Sequence, residues 1–137
     1  MSTHLKEKQE KILQIINALV EESGKGTPII VEGKKDAEAL RILGVEGKVI
    51  TAKTGGKSFL EVVSEIEQMG VAEVVLLLDF DRRGKQGTQQ LKQCLEHAKI
   101  KPNTIFWRAL SALLGKEVQC IESITAYMET LQDKISA

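Results

Sequence analysis

The chain predicts an α/β fold built on a four-stranded parallel sheet with helices on both faces. Three observations predict it. Short, β-branched apolar runs recur along the sequence. Stretches with apolar residues at three- and four-residue steps lie between those runs, the alternation expected of strand–helix units. The 137 residues are 42% hydrophobic, enough to bury a real core and too apolar for global disorder. One domain is expected over residues 1–137, with a core of about 28–108, an N-terminal helix of about 4–22 and a C-terminal helical segment of about 109–134.

The N-terminal helix is predicted from Leu5, Ile12, Ile15, Ile16 and Leu19, and the run Ser23 to Pro28 stops it. Ile29-Ile30-Val31 reads as a buried strand. A helix over Asp36 to Leu43 ends at Gly44, and Lys48 to Thr51 is the second strand. Thr54-Gly55-Gly56-Lys57 reads as a loop. Ser58 and Glu61 form a capping box for a helix expected to turn Leu60, Val63, Ile66 and Met69 inward. Glu73 to Leu78 is the strongest strand, Gly87 to Ala98 a helix, and Thr104 to Trp107 a fourth strand. Helices over about 109–114 and 117–134 close the chain, the last carrying Val118, Ile121, Ile124, Met128, Leu131 and Ile135 on one stripe.

Composition narrows the function. Nineteen Lys and Arg balance nineteen Asp and Glu, which excludes a uniformly basic coat for nucleic acid or a polybasic membrane-surface protein. Five aromatics are too few for a surface that stacks successive bases. The N-terminus reads as no signal peptide, and the apolar run Val74 to Leu78 is too short to span a membrane. Cys94 and Cys120 are expected as free thiols of a cytoplasmic protein. Their spacing with His4 and His97 matches no zinc site.

In a parallel α/β sheet, ligands bind at the carboxyl ends of the strands. Asp79 and Asp81 follow the third strand, and on an extended backbone both carboxylates face one side. Two acids held so closely call for a cation between them, and a hard divalent ion such as Mg²⁺ satisfies that with oxygen ligands. Two solvated acids paired with Arg82 and Arg83 fit the same spacing. Glu32 directly follows the apolar first strand, where a charge is costly to bury without purpose. A strand order of 2-1-3-4 would bring it against Asp79 and Asp81 at the switch point of the sheet. An ion pair with Lys34 or Lys35 is the plainer role for Glu32. Gly33 and Gly84 allow close approach of a phosphate or a backbone. Lys34, Lys53, Lys57, Arg82, Arg83 and Lys85 follow strand ends and suit backbone phosphates.

Glu32-Gly33-x-x-Asp36 after one strand and Asp79-x-Asp81-x-x-Gly84 after a later one resemble the Toprim domain. That domain is shared by topoisomerases, bacterial-type primases, overcoming-lysogenization-defect nucleases and ribosomal-RNA maturation nucleases. The resemblance covers roughly Pro28 to Arg108, and the short length looks like the small stand-alone Toprim proteins of archaea and bacteria. It implies the Rossmann-like Toprim fold with order 2-1-3-4 and a site for Mg²⁺ or Mn²⁺ at Asp79 and Asp81. Glu32 is implied as general acid/base or a further metal ligand, and Asp36 as an auxiliary acid. The implied activity is phosphodiester chemistry on RNA or DNA, as a nuclease or RNA-processing protein. The alternative is a non-catalytic module that binds nucleic acid or nucleotide beside protein partners in RNA processing or DNA repair.

Departures from relatives narrow this further. A topoisomerase needs a tyrosine nucleophile on a separate domain, and Tyr127 is far from the motifs. Gly56-Lys57-Ser58 ends like a P-loop, but Thr51 stands where that pattern demands glycine. A haloacid-dehalogenase phosphatase would carry its Asp-x-Asp on the first strand. A receiver domain would need a fifth strand.

Overall fold

A computed structural model of the chain describes residues 3–53 and 56–137. Thr54 and Gly55, expected in a loop, lie outside the described residues. Helix α1 (Thr3–Gly24) leads into β1 (Ile29–Val31), α2 (Lys34–Ile42), β2 (Val49–Thr51) and α3 (Phe59–Gln68). Then come β3 (Glu73–Leu77), α4 (Arg82–His97), β4 (Lys101–Asn103) and α5 (Ile105–Leu114). A 3₁₀ turn (Ile121–Ser123) and α6 (Ile124–Ser136) complete the order.

The four strands pair in parallel in the order β2-β1-β3-β4. Ile30 sits between Ile50 and Leu76, so the switch point falls between β1 and β3, as expected. Alternation along the strands divides the apolar residues between two faces. Ile29, Val31, Val75 and Leu77 pack with residues of α1, α2, α5 and α6. Ile30, Ile50, Val74 and Leu76 pack with Val62, Val63 and Ile66 of α3 and with Leu91 and Leu95 of α4. The C-terminal stripe lies in the first of these clusters, with Met128 at its margin. Cys94 and Cys120 are free thiols.

Four elements depart from expectation. The fourth strand is Lys101–Asn103, and Thr104 to Trp107 opens a helix instead. Asn103 explains the change: its Oδ1 accepts from Ile105 N at 3.0 Å while its amide donates to Glu73 at 2.9 Å. A side-chain acceptor at that point starts a helix despite the β-branched and aromatic residues that follow. Pro102 is tolerated because β4 lies at the sheet edge. Helix α4 begins at Arg82, not Gly87, because Asp81 caps it; its Oδ1 accepts from Gly84 N at 2.7 Å. On α3 the inward residues are Val62, Val63 and Ile66, whereas Leu60 is 73% exposed and Met69 lies at the surface. Finally, residues 117–120 are not helical, and the last helix starts at Ile124.

Candidate metal centre

Pairing between β1 and β2 continues past the last strand residues and organises the site. Ala52 N donates to Val31 O at 2.9 Å, and Lys53 N donates to Glu32 O at 3.1 Å. Lys53 therefore lies beside Glu32, and its Nζ stands 2.9 Å from Glu32 Oε1. The partner of Glu32 is thus neither Lys34 nor Lys35 but a residue of the neighbouring strand end. The other oxygen, Oε2, accepts from Asp79 N at 3.1 Å, so Glu32 ties the ends of β1 and β3 together.

Strand β3 ends at Leu77, and Asp79, Phe80 and Asp81, the last still extended, lead through a bend directly into α4. Phe80 is buried among the residues packed on the α1 face, and its N–H donates to Gln119 O at 2.7 Å. Its ring lies 6.1 Å from that of Trp107. Trp107 Nε1 donates to Leu78 O at 2.9 Å, which holds the same bend from α5. Asp81 is exposed and turned into its capping bond, whereas Asp79 is half-buried and faces the neighbouring acids.

Asp36 is 5% exposed, and both its oxygens are used. Oδ2 accepts from Gly33 N at 3.1 Å, and Oδ1 accepts from Glu122 N at 2.9 Å, fastening the C-terminal segment to the start of α2. Asp36→Ala would orphan two backbone donors, and we expect it to destabilise the fold by about 3 kcal/mol. Denaturant unfolding checks this, and Asp36→Asn, which keeps one acceptor, should lose less.

Ligand atoms of Asp36, Asp79 and Cys120 lie within 4.8 Å of one another. Glu32 and Asp81 adjoin this group but are held by Lys53 and by the α4 cap. Cys120 carried no motif; it arrives through packing of the C-terminal segment, a contact between residues 84 positions apart in sequence from Asp36. Burial, then the charges of Glu32, Asp36 and Asp81, push the Asp79 carboxyl up to about 7, against the opposing pull of Lys53.

Among the predicted phosphate-binding residues, Lys53 and Arg83 line a small cavity of about 190 Å³ with Glu32. Arg82, Arg83, Gly84 and Lys85 form the first turn of α4 rather than a loop. Neither Arg82 nor Arg83 forms an ion pair with Asp79 or Asp81 among the described residues. Lys34 opens α2 and is exposed, and Lys57 pairs with Glu65 at 2.6 Å. Gly33 precedes α2 as its N-cap.

A family model described as Toprim domain matches residues 26–106. A UPF0292 protein of Methanocaldococcus jannaschii is 38% identical over 120 residues, covering 87% of this chain and 91% of that protein. A UPF0292 protein of Methanosarcina barkeri is 34% identical over 125 residues, covering 91% of this chain and 85% of that one. A solved protein from Aquifex aeolicus superposes with a TM-score of 0.68 at 28% identity, covering 80% of this chain and 94% of that chain.

Proposed function

Because the chain belongs to the Toprim domain family, we propose that it carries out divalent-metal-dependent phosphodiester chemistry on nucleic acid, as a nuclease or RNA-processing enzyme. The observation that carries this reading is the crowding of four carboxylates at the ends of β1 and β3, where the charges of Glu32, Asp36 and Asp81 act on Asp79 against the pull of Lys53. An excess of oxygen donors and negative charge at a sheet switch point suits Mg²⁺ or Mn²⁺. Cys120 adds a soft donor beside Asp36 and Asp79, which is a reason to test Mn²⁺ as well as Mg²⁺.

Asp79 and Asp81 would hold the ion, with Glu32 or Asp36 completing its protein ligands. A bound divalent ion neutralises phosphate charge and lowers the pKa of a coordinated water. Glu32 would move the proton at the attacking or leaving oxygen once a phosphate drew Lys53 away from it. Lys53 and Arg83, on the wall shared with Glu32, would contact the phosphate. The bonds from Glu32 to Asp79 N and from Trp107 to Leu78 O keep the acidic bend in place.

The test is a cleavage screen over single- and double-stranded RNA and DNA with Mg²⁺ or Mn²⁺. We expect cleavage that requires the metal and is lost in Asp79→Asn plus Asp81→Asn. Glu32→Gln should slow it by about 10²- to 10⁴-fold; unchanged cleavage would remove Glu32 from the proton transfer. If every substrate is bound in a salt-sensitive manner and none is cut, the protein is a binding module instead.

A further inference from the structure

Helices α4 and α5 lie on opposite faces of the sheet, and a groove of about 500 Å³ opens between them beyond β4. Helix α4 contributes Lys85, Gln89 and Lys92 at steps of four and three, one side of a helix. Helix α5 contributes Trp107, Arg108 and Ser111. No acidic residue lines the groove, and none of its three cations forms an ion pair among the described residues. Lys8, Lys25, Lys53, Lys57 and Lys101 each meet a glutamate, and other cations are unpaired too among the described residues; what sets Lys85, Lys92 and Arg108 apart is that they share one concave lining without an acid. In a chain of zero net charge, three unpaired cations on one concave surface make a local anion site.

We infer that this groove is a track for a single-stranded nucleic-acid segment, with Lys85, Lys92 and Arg108 on its phosphates and a base against Trp107. The inference rests on the proposed nucleic-acid function and adds where the strand lies and in what form. Lys85 and Lys92 are about 10 Å apart along the helix axis, so they would meet different phosphates of one strand. The sequence of a duplex is read by helices or strands that enter its grooves, and this surface is a concavity between two helices. A concave cationic channel with one aromatic wall suits an unpaired strand, its bases free to stack. The track also leads to the acidic bend. Lys85 lies one turn beyond Asp81, and Lys85 N donates to Asp81 O at 2.9 Å. The indole of Trp107 joins groove and bend, since its N–H bonds to Leu78 O at 2.9 Å.

Trp107 is the sole tryptophan, so its fluorescence reports occupancy of the groove without any turnover. The experiment titrates the full chain with single-stranded DNA and RNA 12-mers and with the matching duplexes, over a series of salt concentrations and without metal. Single strands should quench Trp107. Lys92→Ala plus Arg108→Ala should weaken their binding at least tenfold and flatten the salt slope by about 1.4. Lys6→Ala plus Lys134→Ala, two exposed cations outside the groove, should change neither. Mn²⁺ affinity of the groove variant should match that of the native chain, which separates a lost track from a lost fold. Equal binding by native chain and groove variant overturns the track and leaves the proposed chemistry standing. Absent binding of any strand, or duplexes binding as tightly with the same residue dependence, also overturns it. Strand binding that depends on the groove, with no metal-dependent cleavage, keeps the track and removes the enzymatic reading.

Discussion

Gly84→Ala should unseat the acidic bend and cost the fold about 3 kcal/mol, although alanine is the better helix former. Gly84 is buried in the first turn of α4, and a Cβ there would overlap the Asp79 carbonyl oxygen. It would also stand 2.5 Å from the Asp79 carbonyl carbon and 2.9 Å from its Cα. These atoms are backbone, so no side chain can rotate aside. Relief requires α4 to move away from the end of β3, and that strains three bonds at once. They are the Asp81 cap at 2.7 Å, the bond from Asp79 N to Glu32 at 3.1 Å and the bond from Trp107 to Leu78 O at 2.9 Å. Denaturant unfolding reads the stability, and Mn²⁺ titration of whatever remains folded reads the site. Gly24→Ala is the control, because nothing lies within 4 Å of a Cβ there. A Gly84→Ala protein with native stability and native Mn²⁺ affinity would contradict this close approach.

The position of Gly84 shows what the sequence carried and what it did not. Parallel pairing follows from the alternation of apolar runs and helices; the order 2-1-3-4, which sets Glu32 beside the third strand's acids, is what the Toprim resemblance implies, and the structure has that order. Local signals failed where a side chain overrode propensity. Asn103 starts a helix through residues that read as a strand, and Asp81 starts α4 at Arg82, through Gly84 and ahead of the expected start at Gly87. The geometry of the acids was less legible still. Alternation along a strand says nothing of what these acids bond to: strand pairing ends at Leu77, and Asp81 turns to cap α4 through Gly84 N. Cys120 and the bond from Glu122 N to Asp36 come from the C-terminal segment folding back on α2. Contacts at that sequence distance leave no periodicity or motif to read. The groove between α4 and α5 was hidden for a related reason. Arg108 was expected at a strand end, and its place opposite Lys92 appears once residues 105–114 are helical.

Asp79→Asn should stabilise the metal-free protein at pH 8 and abolish the stabilisation that Mn²⁺ gives the native chain. The native carboxyl titrates at about 7, raised from an ordinary value of 3.8 by burial and by Glu32, Asp36 and Asp81. A folded state that holds its proton more tightly than the unfolded chain gains stability at low pH. That gain is complete below about 3.8 and is lost as pH rises to about 7, after which the charged group burdens the fold. Water reaches this half-buried group, so the loss is on the order of 1–2 kcal/mol rather than the full value for a sealed site. Asparagine removes the titrating charge, so the stability difference between variant and native chain should grow in the variant's favour from pH 4 to 8. Mn²⁺ at about 100 times its dissociation constant should add about 2.7 kcal/mol to the native chain and nothing to the variant, reversing their order. The same proton competes with the ion. Below pH 7, Mn²⁺ affinity should fall by up to tenfold for each pH unit, and calorimetry in buffers of different ionisation enthalpy should detect proton release on binding. A native chain and variant that respond alike to pH and to Mn²⁺ would take Asp79 out of the metal site and leave its raised pKa a consequence of packing alone.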